Sequence, residues 1–206
     1  MSRAVGSLLP VSGVILAAGS SSRFGSPKQL VVLNGRPLVR RIVDEALATR
    51  LAEVIVVVGS GAQLVRAALT GVDVRIVENP EYAGGQSTSV RAGLGAVSPD
   101  SLGAMFMVTD QPGLTAALID HLLAVFVRTG GPIVVPIFAG RWGSPVTFAR
   151  GLFPELSALE GDTGGRPVIA AHRDEVVAVP LDSDAPLGDI DTPEELRRWR
   201  AEHSGE

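Results

Sequence analysis

The chain alternates short, almost unbroken apolar runs with amphipathic stretches, and this alternation narrows the fold more than any other feature. GVILAA (13–18), EVIVVVG (53–59), DVRIVEN (73–79), AMFMVTD (104–110) and PIVVPI (132–137) read as strands. A strand that is apolar on both faces must be covered on both, which is the situation of a parallel sheet between helices. Helical patterns lie between these runs. Residues 37–50 set Leu38, Ile42 and Leu47 near one face, with Pro37 at the start. Residues 62–69 form a shorter helix, and 86–97 follow a Gly-Gly turn. Residues 115–130 begin with a Thr suited to capping and end on a Gly. Strand, helix, strand repeated in this way predicts a three-layer α/β/α sandwich with a mostly parallel, Rossmann-like sheet.

Beyond residue 137 the pattern loosens. FAGRWGSPVTF reads as two short strands around a turn, EVVAVPL (175–181) as another strand, and PEELRRWRAEH (193–203) as a final helix. Residues 1–10 read as a disordered leader and 11–206 as one domain. The leader carries one Arg and an apolar run, but Pro10 and Gly13 interrupt it, so a signal peptide is disfavoured.

Composition excludes several classes. The 206 residues are 46% hydrophobic and 19% charged, enough to bury a core and unlike a disordered chain. A net charge of −4 offers no basic patch for a nucleic-acid backbone. There is no cysteine, hence no disulfide, thiolate nucleophile or cysteine-held metal, and a cytoplasmic location is expected. No apolar run is long enough to span a membrane. The three histidines (His121, His172, His203) lie in or beside helical segments, and no Ser/His/Asp arrangement follows from their spacing.

The turn after the first strand, LAAGSSSRFGSPK (16–28), carries the chemistry. Ligands of doubly wound sheets bind beyond the C-terminal ends of the strands. Gly19 and Gly25 let backbone N–H groups approach an anion closely, and Arg23 and Lys28 add full charge. Lys28 is the only lysine; the other basic residues counted with it are all arginine. A compact ammonium on a flexible stem suits a narrow phosphate site better than a planar guanidinium fork does. The turn matches neither GxxxxGK[ST] nor GxGxxG.

It does match LAAGxSxRxGxxK through Leu16, Ala17, Ala18, Gly19, Ser20, Ser22, Arg23, Gly25 and Lys28, with Phe24 where Met is usual and Gln29 continuing as PKQL. NPEYAGGQSTSVRAGL (79–94), VTDQP (108–112), GDTGGR (161–166) and DIDTPEEL (189–196) follow in order over nearly the whole chain. Together they resemble the molybdopterin nucleotidyltransferase-like family, nearest its molybdenum cofactor cytidylyltransferase branch. The resemblance implies a Mg²⁺-dependent enzyme that joins CMP from CTP to a phosphorylated small-molecule acceptor of the molybdopterin type and releases pyrophosphate. It further implies an N-terminal half for nucleotide, a C-terminal half for acceptor, and a molybdenum enzyme as a downstream partner. Catalytic roles fall to Arg23, Lys28 and Asp110. Nucleotide contacts fall to Leu16, Ala17, Ala18, Gly19, Asn79, Ser87 and Ser89, metal ligation to Asp110 and Asp191, and acceptor contacts to Ser144, Asp162 and Arg166.

The aspartates also follow from charge. A triphosphate under attack by another phosphate accumulates negative charge, and magnesium takes one or two carboxylates plus phosphate oxygens. Asp110 sits at the end of a strand, where the site should be; it also reads as a cap before Pro112. Asp191 reads either as a metal ligand or as the cap of the last helix, with Asp189 competing for the metal role. Asp162 and Arg166 read either as acceptor contacts or as a loop salt bridge. Gly165 replaces the Ala of the family's GDxGAR, and Ser144 stands where His or Asn is common. Guanylyltransferases usually carry LAGG, so the methyl of Ala18 is expected to disfavour a purine. Other readings of the same chain are a guanylyl- or sugar-phosphate nucleotidyltransferase and a non-catalytic nucleotide-binding cofactor chaperone.

Overall fold

Period-2 alternation along three central strands builds the sheet's two faces. In the computed structural model, which describes residues 8–20, 24 and 27–202, these are β1 (Leu9–Ala17), β4 (Leu51–Val58) and β6 (Gly103–Val108). Val11 and Ile15 of β1, Val54, Val56 and Val58 of β4, and Met105 and Met107 of β6 enter one core. Val14, Ile55, Val57, Ala104 and Phe106 enter the other. The first core is covered by α1 (Leu38–Leu47), α2 (Ala62–Ala68) and α4 (Ala116–Thr129) through Val39, Ile42, Val65, Ile119 and Leu122. The second is covered by α3 (Gln86–Leu94), α5 (Phe153–Ser157) and α6 (Arg166–Ala171) through Val90, Leu94, Leu156 and Ile169. Each such side chain contributes about 1.5–3 kcal/mol by leaving water.

β5 (Arg75–Glu78) pairs with β4, β4 with β1, and β1 with β6, all parallel. The parallel order is then broken. β9 (Val146–Ala149) lies antiparallel between β6 and β7 (Ile133–Phe138), and β10 (Val176–Pro180) runs parallel to β7 at the edge. The two-residue β8 (Arg141–Trp142) pairs antiparallel with β7. The chain between β7 and β9 is shorter than the dozen or so residues of a parallel crossover, so β9 has to return antiparallel. The mostly parallel three-layer sandwich is thus the observed fold, with one inserted reverse strand.

Several local expectations need correction. β1 begins at Leu9, so Leu9 and Pro10 belong to the sheet and not to a leader. α3 ends at Leu94 rather than near 97. The sequence reading missed α5 and α6, which are only five and six residues long and show little periodicity. It also missed a hairpin of β2 (Val32–Leu33) and β3 (Arg36–Pro37), although Asn34 and Gly35, both with positive φ, are the standard signal for a two-residue turn. α4 follows the expectation closely, with the Thr115 hydroxyl accepting from the Leu118 N–H and Gly130 left-handed at φ 62°. The last helix, α7 (Pro193–Glu202), docks on a small third core of Leu33, Leu38, Ile190 and Leu196, with Phe24 and Trp199 packed against it. No described helix is long and apolar enough to cross a membrane.

Candidate functional site

β1, β4 and β6 end side by side, and the residues just beyond them meet. Lys28 opens a short 3₁₀ turn and reaches across to two carboxylates. Its Nζ donates to Asp110 Oδ2 at 2.7 Å and to Asp191 Oδ1 at 2.6 Å. The three charges come from sequence positions far apart, two residues after β6, just before α7 and after the first turn. Burial works against the ammonium, yet the Asp110 carboxylate, with Asp191 beside it, holds the Lys28 pKa above its ordinary value.

Asp191 is positioned by three anchors. The Ile190 N–H donates to the Asp110 carbonyl at 2.8 Å, tying the two segments together, and the Ile190 side chain is buried in the third core. The N–H groups of Asp191 and Thr192 donate to Glu195 Oε2 at 2.8 and 2.9 Å, while the Thr192 hydroxyl accepts from the Glu195 N–H. This is a capping box with Thr192 as the cap. The cap reading of Asp191 therefore fails: its neighbour caps α7 and frees the Asp191 carboxylate for Lys28. The Thr-x-x-Glu spacing of residues 192–195 was visible in the sequence and would have settled this. Backbone N–H donation from Asp191 in turn holds the Glu195 carboxyl below its usual range.

Asp189 faces a different partner, accepting from Gln111 Nε2 at 2.9 Å. Burial pushes its carboxyl upward against that hydrogen bond, and the charges of Asp110 and Asp191 add to the push. Asp110 Oδ1 and Gln111 Oε1 are buried without a hydrogen-bond partner. Among the described residues no group of three or more His, Asp or Glu side chains converges on one point. Two carboxylates and an orphaned buried oxygen are nevertheless a hard-oxygen donor set that fits a divalent cation completed by phosphate oxygens.

The turn after β1 is tied down from behind. Gln29, only 2% exposed, directs Nε2 to the carbonyls of Ala17 (3.3 Å), Gly19 (3.3 Å) and Ser60 (3.2 Å), and the Ser60 N–H donates to the Ala18 carbonyl at 3.1 Å. The sequence reading noted Gln29 without giving it a role. Leu16 and Ala17 belong to β1, and Gly19 is exposed. Arg23, with Ser22 and Gly25, lies outside the described residues, as does His203.

The remaining site residues divide. Asn79, Ser87 and Ser89 are at most 5% exposed. Asn79 Nδ2 donates to the hydroxyls of Thr88 (2.8 Å) and Ser89 (3.0 Å), and its Oδ1 accepts from the Glu81 N–H, so Asn79 and Ser89 are engaged in shaping the loop into α3. Ser87 Oγ is buried and has no partner. Ala18 is 2% exposed and lies in the second core, so its methyl points into protein and not into an open base site. The argument that this methyl blocks a purine is thereby removed.

The GDTGGR segment meets α3 directly. The Asp162 carboxylate accepts from the Gln86 N–H at 3.2 Å, at the positive end of the helix. Gly85, at φ 100°, lies against the Gly161 carbonyl so closely that a Cβ would sit 2.4 Å from it. Arg166 opens α6 with an exposed side chain and makes no ion pair with Asp162, against the loop salt bridge reading. Ser144 precedes a cis proline, and its Oγ is buried without a partner. At Gly165 a Cβ would lie 2.5 Å from Phe148 Cζ, so the buried Phe148 ring fills the room that an alanine there would need.

A cleft of about 650 Å³ lies beside α3, lined by Glu81, Ser87, Arg91, Leu159 and Glu160 among others. It includes neither Lys28 nor its two aspartates. The open cleft and the converging charges are therefore separate places. The charged cluster is the better candidate for chemistry, because there a half-buried ammonium meets two carboxylates at the strand ends.

The chain is similar to several known proteins over nearly its whole length. Nicotine blue oxidoreductase of Paenarthrobacter nicotinovorans is 30% identical over 91% of this chain and 95% of its own length. Molybdenum cofactor guanylyltransferase of Vibrio atlanticus is 30% identical over 93% and 97%. The crystal structure of Rv0371c from Mycobacterium tuberculosis in complex with manganese superposes with a TM-score of 0.75 at 33% identity, covering 91% of this chain and 96% of that one. Residues 13–176 match the family model of the MobA-like NTP transferase domain, and the chain belongs to that nucleotidyltransferase family.

Proposed function

We propose that the protein is a divalent-metal-dependent cytidylyltransferase that joins CMP from CTP to a phosphorylated acceptor of the molybdopterin type, with Mg²⁺ as the metal. The observation that carries the reading is the Lys28 ammonium held between Asp110 and Asp191 at the open end of the sheet. Lys28 neutralises triphosphate charge, and Arg23 adds to it from the same turn. Asp110 and Asp191 would hold the cation, which would supply Lewis-acid neutralisation of phosphate oxygens. An acceptor phosphate oxygen attacks the α-phosphorus, a new P–O bond forms, the bond to the β-bridging oxygen breaks, and pyrophosphate leaves. Ser87, whose buried Oγ at the start of α3 has no partner, would contact the nucleotide. Asp162 and Arg166, beyond it, and Ser144 belong to the acceptor side, where GDTGGR supports the molybdopterin choice. A manganese complex of a relative supports a divalent metal, and delivery of product to a molybdenum enzyme completes the proposal.

Guanylyl transfer is the second reading, favoured by one observation: the Ala18 methyl is buried and leaves the turn no bulkier than glycine on its open side. Pyrophosphate release is measured with CTP, GTP, ATP and UTP, with and without molybdenum cofactor. Release that needs both CTP and the cofactor is the expected result. Release with GTP alone among the nucleotides selects the second reading, and no release with any of them refutes both.

A further inference from the structure

A carboxamide has two N–H hydrogens, yet Gln29 Nε2 lies within 3.3 Å of three carbonyl oxygens, those of Ala17, Gly19 and Ser60. All three are loop or strand-end carbonyls just past β1 and β4. The Ala18 carbonyl between two of them is taken by the Ser60 N–H. Three consecutive carbonyls of the turn are thus engaged inside the protein. The peptides here are trans, and in a planar trans peptide the carbonyl of one residue is antiparallel to the N–H of the next. Drawing the Ala17 and Gly19 carbonyls toward Gln29 therefore turns the N–H groups of Ala18 and Ser20 to the opposite side of the turn.

We infer that Gln29 is a positioning residue for anion binding: by collecting carbonyl oxygens behind the turn, it aims the N–H groups of Ala18 and Ser20 at a bound phosphate. The inference rests on the nucleotidyl reading above. Without this tie, the Gly19 carbonyl, which lies beyond the strand, is free to rotate toward the phosphate and repel it. Gln29 is nearly fully buried, so it acts on the ligand only through the backbone. Its neighbour Lys28 approaches the same site through its side chain, which makes the two adjacent residues complementary: one supplies charge, the other orients the dipoles.

The probe is inorganic pyrophosphate, titrated calorimetrically against wild type, Gln29→Met and Gln29→Glu in the presence of Mg²⁺. Methionine keeps the length and apolar packing but has no donor, and an ionised glutamate has only acceptors to set against three carbonyls. Both variants are expected to bind pyrophosphate at least tenfold more weakly, while Mn²⁺ binding by the Asp110 and Asp191 carboxylates, read by electron paramagnetic resonance, stays within twofold. A purely structural role would weaken the two together. Pyrophosphate affinity of Gln29→Met within twofold of wild type overturns the inference and leaves the nucleotidyl reading intact. A wild type that does not bind pyrophosphate overturns both. If Gln29→Met does not fold, Gln29→His, which keeps one ring N–H, takes its place; an intermediate loss supports the inference and wild-type affinity refutes it.

Discussion

Replacing Lys28 by Met tests the ion cluster most directly. The Lys28 side chain is 15% exposed, that of Asp110 23% and that of Asp191 47%. A hydrogen bond to a charged group contributes about 1.5–3 kcal/mol when shielded from water, and the Asp110 contact belongs to that class. The half-exposed Asp191 contact contributes about 1 kcal/mol at most, because water screens it. Lys28→Met should therefore cost about 2–3 kcal/mol, less whatever the two carboxylates recover by hydration. In a chain of this length that lowers the melting midpoint by about 4–12 °C. The same substitution leaves two carboxylates facing one another, and a divalent cation no longer competes with an ammonium for them. The variant should bind Mn²⁺ more tightly than wild type without nucleotide, and Mn²⁺ should recover more of its melting temperature. Pyrophosphate release should nonetheless be almost abolished, since the Lys28 ammonium no longer meets the triphosphate and Arg23 and the cation are left to neutralise it alone. Calorimetric melts with and without Mn²⁺ decide the matter. An unchanged midpoint together with unchanged Mn²⁺ affinity would show that the cluster does not form in solution.

Further perturbations separate the neighbouring roles. Asp110→Asn and Asp191→Asn should each remove metal-dependent turnover, because an amide is a poorer ligand for a hard cation; full turnover in Asp191→Asn would take Asp191 out of the site, since the helix cap is Thr192. Gly165→Ala drives a methyl into the buried Phe148 ring and should cost about 1–3 kcal/mol in denaturant melts, with most of it recovered in the double variant with Phe148→Leu. His172 is held by Glu175 and Glu155, which raise its pKa above the ordinary 6.5. Its contribution to stability is thus fully present below that value and lost as pH rises through the folded-state one. Melts from pH 6 to pH 8.5 should show wild type losing its advantage over His172→Gln, and a constant difference across that range would refute the assignment.

The sheet was legible because its signal is local. Each buried strand is an apolar run of its own, and the caps at Thr115 and Gly130 sit next to the helix they close. The turn at 16–28 and the aspartate after AMFMVT were legible for the same reason, since residue type and place along a strand suffice to mark them. The failures are of two kinds. β9 runs backward because of the shortness of the link before it, a property of chain length that apolar pattern does not record. The direction of the Ala18, Asn79 and Ser89 side chains is the second kind: their methyl, amide and hydroxyl groups are turned inward by neighbours that the apolar pattern does not reveal. The choice between Asp189 and Asp191 was likewise tertiary. Both lie before α7, but a backbone bond from Ile190 to Asp110 and a capping box one residue on turn Asp191 toward Lys28 and leave Asp189 to Gln111. Which groups exist was written in the residues; where each carboxylate and carbonyl points was decided by hydrogen bonds between segments that only the folded chain brings within 3.3 Å of one another.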